Sequence, residues 1–212
     1  MGLDKPKLAG EEYTAKPLAI MEAALEIFSE KGFSATRLDE VAARAGVAKG
    51  TLYLYFDSKK DIFKKVVETA LKTNVEPLEK KFEAHAGATQ DFLNEMFEFF
   101  GKLLSENRIG VMPKLIITEA GHFPDLAAYY RDKVVLRIHR LFTHVIERGI
   151  ERGEFRKVDA AASARILMAP FLMLALVRQT PVLREGLRID PKAHVAAARD
   201  VLLSGLLQRN GA

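Results

Sequence analysis

Residues 51–56, with the sequence TLYLYF, decide the fold class of this chain, because no other stretch has the composition of a β-strand. As a strand, the segment would place its leucines on one face and its tyrosines on the other, and neither face would be polar. As a helix, it would group Leu52, Tyr55 and Phe56 on one side at i, i+3 and i+4. Only the helix gives a core face and an outward face, so we predict a helix here.

The rest of the chain repeats apolar side chains at helical spacing, which predicts an all-α fold of about nine helices. Pro17 is placed to start the first helix, where its missing N–H is harmless, and Gly32 to end it. Thr36 and Ser58 each stand three residues before an aspartate. This pattern of a capping box predicts the starts of the second and fourth helices. Pro77 predicts a kink or an end within the fourth helix.

The composition is that of a soluble globular protein, with 49% hydrophobic and 28% charged residues among 212. The absence of cysteine excludes disulfides and cysteine-bound metals. The longest apolar run, residues 166–177, is too short to cross a bilayer, which takes about 20 residues, and the polar N-terminus lacks the apolar core of a signal peptide. These features predict a cytoplasmic protein without a membrane partner. A net charge of +4 permits a nucleic-acid partner without requiring one.

Residues 36–59 have the pattern of a helix-turn-helix, in which two short helices flank a turn at Gly46. The second helix of such a unit reads base edges in the DNA major groove. Gly50 supports this function, because glycine destabilises a helix interior by about 1 kcal/mol but lets the backbone approach a duplex. Lys59 and Lys60 fall in the first turn of the next helix, where the helix dipole disfavours cations unless a DNA phosphate binds there. On charge alone, the same residues would equally suit an ordinary solvated surface.

Residues 20–67 resemble the DNA-binding domain of the TetR (tetracycline repressor) family of transcriptional regulators. The resemblance is carried by Ala23, Ala24, Phe28, Lys31, Gly32, Phe33, Thr36, Val41, Ala42, Ala45, Gly46, Val47, Lys49, Gly50, Thr51, Leu52, Tyr53, Tyr55, Phe56, Ser58 and Lys59. It implies a dimeric, all-α regulator with an N-terminal helix-turn-helix domain of three helices and a larger C-terminal helical domain. It also implies that the second domain binds a small molecule, upon which the protein releases its DNA.

The resemblance further implies which residues of the motif contact double-stranded operator DNA. Those that would meet the phosphate backbone are Thr36, Arg37, Tyr53, Tyr55 and Lys59, with Lys59 as a clamp. Those that would enter the groove are Lys49, Gly50 and Thr51. Two further contact positions depart from the commonest family pattern. Ala48 replaces a frequent Ser or Thr that would cap the helix, and Leu54 replaces a frequent His, so we expect an apolar contact there, for example with a thymine methyl group.

Aromatic and methionine side chains concentrate in the C-terminal part of the chain, where they suit either a core or a pocket for an apolar ligand. The pocket hypothesis names Phe92, Met96, Phe99, Phe100, Met112, Ile116, His139, Phe142, Met168, Phe171, Leu172 and Leu176. His139 aligns with Phe142 and Ile146 on one helix face, so it is either a satisfied core histidine or the polar anchor of the pocket. The segment ITEAGHFPDLAAYY at residues 117–130 resembles one subgroup of the family's ligand domains.

We therefore predict a tail at residues 1–15, a DNA-binding domain at 16–64 and a ligand-binding and dimerisation domain at 65–212. The function predicted is a ligand-responsive repressor, and the alternative is a helical interaction module that has lost specific DNA binding. A homodimer through the last two helices is expected, because residues 166–177 are apolar all round and need burial on more than one side. No catalytic motif, cofactor site or metal-ligand spacing is found, so an enzyme is not predicted.

Overall fold

A computed structural model describes residues 15–106 and 108–207 of the chain. The α-helical segments of these residues are α1 (Ala15–Ala35), α2 (Leu38–Arg44), α3 (Lys49–Tyr53), α4 (Lys59–Ala70), α5 (Glu76–Ala84), α6 (Thr89–Glu106), α7 (Val111–Glu119), α8 (Pro124–Tyr130), α9 (Leu136–Glu151), α10 (Ala160–Gln179), α11 (Pro181–Leu187) and α12 (Pro191–Leu206). Over the same ranges no strand forms, and the single β-bridge joins Phe155 to Leu207. The all-α prediction is confirmed. The predicted tail lies outside the described residues, apart from Ala15.

Within the described part of the chain, two π-helical turns and one 3-10 turn connect or precede these helices. The π turns, Leu71–Val75 and Arg131–Val135, join α4 to α5 and α8 to α9, and the 3-10 turn Arg108–Gly110 precedes α7. Pro77 does not end its helix, which continues to Ala84. The π turn ends at Val75, two residues before Pro77, and widens the backbone at the carbonyl groups that a proline ring would otherwise meet.

The helix starts show one predicted cap and one correction. Ser58 caps α4 by accepting a hydrogen bond from the Asp61 N–H at 3.2 Å. The capping box predicted from Thr36 is wrong, because Arg37 is the N-cap of α2 and Glu40 accepts the Arg37 N–H at 3.4 Å. The Thr36 hydroxyl instead donates to the carbonyl of Gly32 at 2.7 Å. Glu40 thus does for α2 what the Thr36 pattern assigned to Asp39.

The chain divides into two compact units. The first contains the described residues of Met1–Pro77 and Asn107–Val134, and the second contains those of Leu78–Glu106 and Val135–Ala212. In the first unit α1 packs against α2, α4 and α7. Phe33 lies at the centre of this packing, since its ring centroid is 5.1 Å from that of Phe28, 6.0 Å from that of Phe63 and 4.8 Å from that of Phe123.

The second unit is built on α6, α9, α10 and α12, which pack against one another around a core of phenylalanine, leucine and valine side chains. Glu154 ties two of its segments together by accepting the N–H of Gln90 at 3.3 Å and the hydroxyl of Thr89 at 3.2 Å. Phe155 lies so close to α9 that a Cβ atom on Gly149 would stand 2.1 Å from its ring. Glycine is therefore required at position 149 by a close side-chain approach.

Among the helices of the described residues, one is long and apolar enough to cross a membrane by length and composition alone. This helix is α10. The expectation drawn from residues 166–177 underestimated this length, because the helix extends over 20 residues. Core helices of soluble proteins satisfy the same criterion. In α10, Leu167, Phe171 and Leu174 are buried in the core of the second unit. Length and composition therefore do not assign α10 to a membrane.

Candidate DNA-recognition surface

The turn between α2 and α3 brings the two short helices together over a shared apolar core. Gly46 adopts a left-handed conformation with φ of 68°, which a residue with a side chain rarely adopts. The N–H of Val47 then returns to the carbonyl of Ala42 at 3.0 Å. Leu52 and Phe56 are buried beneath the turn. This packing fixes α3 against α2 and leaves the opposite side of α3 facing solvent.

The outward side of this motif carries large side chains that a purely structural helix would place inside. Leu54 is 81% exposed, Tyr53 is 46% exposed and Tyr55 is 41% exposed. Arg37 and Lys49 are exposed as well, and we call these five side chains the recognition surface. Tyr55 was expected on the core face with Leu52. It lies outside because α3 ends at Tyr53 and the chain then turns, with the Tyr55 N–H and the Phe56 N–H both donating to the Leu52 carbonyl.

Lys49 of the recognition surface is paired without being buried. The ammonium group of Lys49 lies 2.7 Å from Asp39 Oδ1, and both side chains are largely exposed. The hydrogen bond from Lys49 holds the pKa of Asp39 below its usual value, and the same bond raises the pKa of Lys49. An exposed ion pair of this kind contributes little to stability. Lys49 can therefore exchange Asp39 for a phosphate or a base edge at small cost. Gly50 and Ala48, at the start of α3, are exposed.

Two residues predicted to meet phosphates point into the protein instead. Thr36 is buried, with its hydroxyl committed to Gly32. The ammonium group of Lys59 donates to three backbone carbonyls, those of Phe33 at 2.8 Å, Ser34 at 2.7 Å and Thr36 at 3.2 Å. An ammonium group has three N–H donors, so this set leaves none for a phosphate. Lys59 is thus an internal clamp on the end of α1. Thr51, which is predicted to enter the groove, is half-buried and so belongs neither to the exposed nor to the inward-facing residues.

Burial shifts the titration of Lys59. Partial loss of solvent lowers the pKa of its ammonium group, and the carboxylate of Glu119 counteracts this shift. The ring centroid of Phe33 lies 4.9 Å from Lys59 Nζ and that of Phe123 lies 5.9 Å from it, so two aromatic faces also contact the cation. The surroundings of Lys59 are those of a structural cation.

Glu119, the last residue of α7, lies beside Lys59 and the end of α1. Its Oε1 accepts the N–H of Phe33 at 3.1 Å and the N–H of Ser34 at 3.3 Å. A small crevice of about 10 Å³ adjoins it, which is room for about one water molecule. The lining is mostly apolar and consists of Phe33, Phe63, Leu115, Ile116, Glu119, Ala120, Phe123, Leu126 and Ala127. In the described ranges, no group of three or more His, Cys, Asp or Glu side chains is placed to hold a metal ion.

Two family models match the chain. One, described as "Bacterial regulatory proteins, tetR family", covers residues 20–66, and the other, described as "Tetracyclin repressor-like, C-terminal domain", covers residues 85–189. The chain belongs to the TetR family. A TetR-family protein of this kind is a ligand-responsive, DNA-binding transcriptional regulator, and the recognition surface supplies the exposed helix-turn-helix that this function needs. No observation favours the alternative of a module that has lost DNA binding.

Several relatives of this TetR-family protein are themselves named as regulators. The HTH-type transcriptional regulator YfiR of Bacillus subtilis is 28% identical over 160 residues, which is 74% of this chain and 77% of that protein. The fatty acid metabolism regulator protein of the same organism is 24% identical over 143 residues, 67% of this chain and 72% of that protein. The crystal structure of FadR from Bacillus subtilis in complex with stearoyl-CoA has the same fold, with a TM-score of 0.72 at 20% identity, and the match covers 89% of this chain and 98% of that one.

The residues proposed for the ligand pocket of this TetR-family protein are divided between the two units. Met112 and Ile116 belong to the first unit, and the other ten belong to the second. Those buried in the core of the second unit are Phe92, Met96, Phe100, Phe142 and Phe171. Phe99, Met168 and Leu176 are half-buried, and Leu172 is exposed. His139 is half-buried, and its Nε2 lies 2.9 Å from the carbonyl of Ala161.

Sequence reasoning did not recognise Glu119 and Phe123 as partners of the DNA-binding motif. Both lie in the segment ITEAGHFPDLAAYY, whose resemblance to one subgroup of the family's ligand domains predicts no contact with the motif. The partners of the Glu119 carboxylate lie 85 and 86 residues away in the chain, and nothing in the sequence around Glu119 indicates them. The one available signal was Gly32 followed by Phe33, a helix stop with an aromatic residue directly after it.

Proposed function

We propose that the protein is a cytoplasmic, homodimeric repressor that leaves its operator when a small apolar or amphipathic molecule binds. In this proposal residues 16–64 bind DNA, while residues 65–212 provide effector binding and the dimer contact. No membrane partner is involved. The observation that carries the proposal is the recognition surface, which exposes Lys49, Arg37 and Leu54 on a motif of the TetR family.

The two helices expected to form the dimer are α10, which contains residues 166–177, and α12, with the short α11 between them. Dimerisation through α10 and α12 is supported by apolar side chains on the outward faces of these two helices, which pack together. Ile166 and Leu172 of α10 are exposed, as is Val201 of α12. Two such helices from each of two chains would form a four-helix bundle and bury these side chains. A repressor also needs two motifs, because dimers read half-sites about 34–36 Å apart.

Sedimentation of matched variants tests the dimer. Ile166 is 57% exposed on α10, and Ile117 is 55% exposed on α7, outside the proposed contact. Ile166→Arg should shift the protein to a monomer at micromolar concentration, because it places a charge in a buried apolar interface. Ile117→Arg should leave the dimer intact. A wild-type monomer, or equal behaviour of the two variants, would contradict the proposed interface.

An effector of the long-chain acyl-CoA class is supported by two relatives: a fatty acid metabolism regulator, and FadR in complex with stearoyl-CoA. The core of the second unit offers suitable surroundings, since the ring centroid of Phe100 lies 5.6 Å from that of Phe142 and 5.8 Å from that of Phe171. An acyl chain would enter by separating such rings. Aromatic and methionine side chains adapt readily to a flexible apolar ligand.

The operator is first identified by sequencing DNA that the purified protein retains from a genomic library. Stearoyl-CoA is then titrated into the protein with and without that operator, with free coenzyme A as the control for the headgroup. Coupling between effector and DNA is typically about 1–3 kcal/mol, or about 5–150-fold in affinity, and is reciprocal. Operator DNA should therefore weaken stearoyl-CoA binding by the same factor as stearoyl-CoA weakens operator binding. Equal affinities in both titrations would refute regulation by this class of molecule.

A further inference from the structure

The end of α1 contains a break that exposes backbone donors. Gly32 has φ of 83° and ψ of 168°, which are not helical values, although helical residues continue to Ala35. The N–H groups of Phe33 and Ser34 are directed to one oxygen of Glu119. A Cβ atom at position 32 would lie 2.8 Å from that oxygen. Glycine therefore provides both the left-handed backbone and the space that the carboxylate occupies.

A cation occupies the opposite side of the same peptide groups. The peptide that joins Phe33 to Ser34 donates its N–H to Glu119 at 3.3 Å and accepts Lys59 Nζ on its carbonyl at 2.8 Å. The carbonyl of Ser34 also accepts from Lys59, at 2.7 Å. A negative and a positive side chain thus hold one peptide group by its two ends, and each strengthens the bond made by the other through polarisation.

These contacts lie where the chain enters and leaves the helix-turn-helix. Residues 33–36 lead directly into α2, and Lys59 is the first residue of α4, after the recognition helix α3. Phe123 supports the same place from α7–α8, with its ring 4.8 Å from Phe33 and 5.6 Å from Lys60 Nζ. The contacts of Lys59 and Glu119 therefore hold the α2–α3 motif relative to α1 at the two places where the chain enters and leaves it.

We propose that Glu119 is a positioning residue for DNA recognition, whose carboxylate, together with Lys59, holds the two ends of the helix-turn-helix in the orientation that reads the operator. Glu119 contacts no DNA in this role. It acts through the backbone of Phe33 and Ser34. The inference rests on the proposed function for its DNA measurements, but the amide contacts exist without DNA.

Two conservative variants separate the contact from the charge. Glu119→Asp keeps the charge but retracts the carboxylate by one methylene, out of reach of both N–H groups. Glu119→Gln keeps an oxygen at the same reach but removes the charge. Asp125→Asn is the matched control, because Asp125 lies on α8 in an exposed pair with Lys60 at 2.8 Å. Binding to the selected operator and to an unrelated duplex of equal length is measured at one salt concentration.

Glu119→Asp should weaken operator binding by about tenfold, which corresponds to about 1.4 kcal/mol, and Glu119→Gln by less. Asp125→Asn should stay within about twofold, as expected for an exposed ion pair. Binding to the unrelated duplex should stay unchanged in all three, since it depends on phosphate contacts alone. If Glu119→Asp binds the operator like the wild type, or loses both duplexes equally, Glu119 does not position the motif.

Hydrogen exchange of the Phe33 and Ser34 amides in the DNA-free protein provides a second measurement. Exchange of both should accelerate in Glu119→Asp but much less in Glu119→Gln. Unchanged exchange in Glu119→Asp would also overturn the inference. If the wild-type protein retains no operator at all, the proposed function fails, and the exchange measurement alone then decides whether Glu119 holds the end of α1.

Discussion

Replacement of Lys59 by alanine separates two functions for the same side chain. The sequence predicts a phosphate clamp, whereas the structure shows an ammonium group bound to three carbonyls at the end of α1. A hydrogen bond to a charged group contributes about 1.5–3 kcal/mol, and a cation at a helix C-terminus contributes up to about 2 kcal/mol. These contributions overlap, and Lys59 is only half-buried, so water replaces part of what is lost. We expect Lys59→Ala to lower the free energy of unfolding by about 2 kcal/mol, within the usual range of single substitutions.

Urea unfolding followed by circular dichroism measures this loss, and Lys60→Ala is the control. Lys60 has an exposed partner in Asp125, so its removal should change stability by less than about 1 kcal/mol. Operator binding is measured in parallel at several salt concentrations. An internal clamp leaves the slope of log K against log salt unchanged, whereas a lost phosphate contact flattens it by about 0.9 per protomer. A flattened slope with unchanged unfolding would refute the internal assignment of Lys59.

Three further results are expected. Leu54→Ala should leave stability within about 0.5 kcal/mol, because the side chain is mostly exposed, yet change which base pair is preferred at one operator position, as read by binding to a panel of single-base variants. Gly149→Ala should destabilise the protein by about 1–3 kcal/mol, through overpacking against the Phe155 ring, as measured by urea unfolding. In an alkaline absorbance titration Tyr129 should ionise near pH 12, since burial and then Glu68 raise its pKa to about 12. Its folded pKa is the higher one, so its contribution to stability is present below pH 10 and is lost between about pH 10 and 12.

Local chemistry made the helix-turn-helix predictable from sequence. Helical spacing placed Leu52 and Phe56 in the core, and the structure buries both. The same spacing placed Tyr55 inside, where it is not found. A regular helix continues its 100° rotation per residue, but α3 ends at Tyr53. The periodicity carried no information on that end, because the motif lacks a glycine or proline between Tyr53 and Phe56.

Contacts between distant parts of the chain were outside the reach of pattern reasoning. The sequence predicts a phosphate partner for Lys59 because the dipole of its own helix disfavours a cation there, but the end of α1 supplies the acceptors from 23 to 26 residues away. The dipole argument correctly identified a cation that needs a negative partner. It did not identify which partner, because helix C-terminal carbonyls and phosphates satisfy an ammonium group equally well.

The inward position of Lys59 also changes the salt dependence expected for the proposed dimer. Of the ten predicted DNA contacts, three are cationic, and Arg37 and Lys49 remain on the recognition surface. Two cations per protomer give a dimer slope of about −3.6 for log K against log salt, whereas three give about −5.4. A wild-type slope near −5.4 that falls to about −3.6 in Lys59→Ala would return Lys59 to the phosphates. A slope near −5.4 that Lys59→Ala leaves unchanged would instead require cations outside the ten positions, and Lys60, the second residue of α4, is then the first to replace.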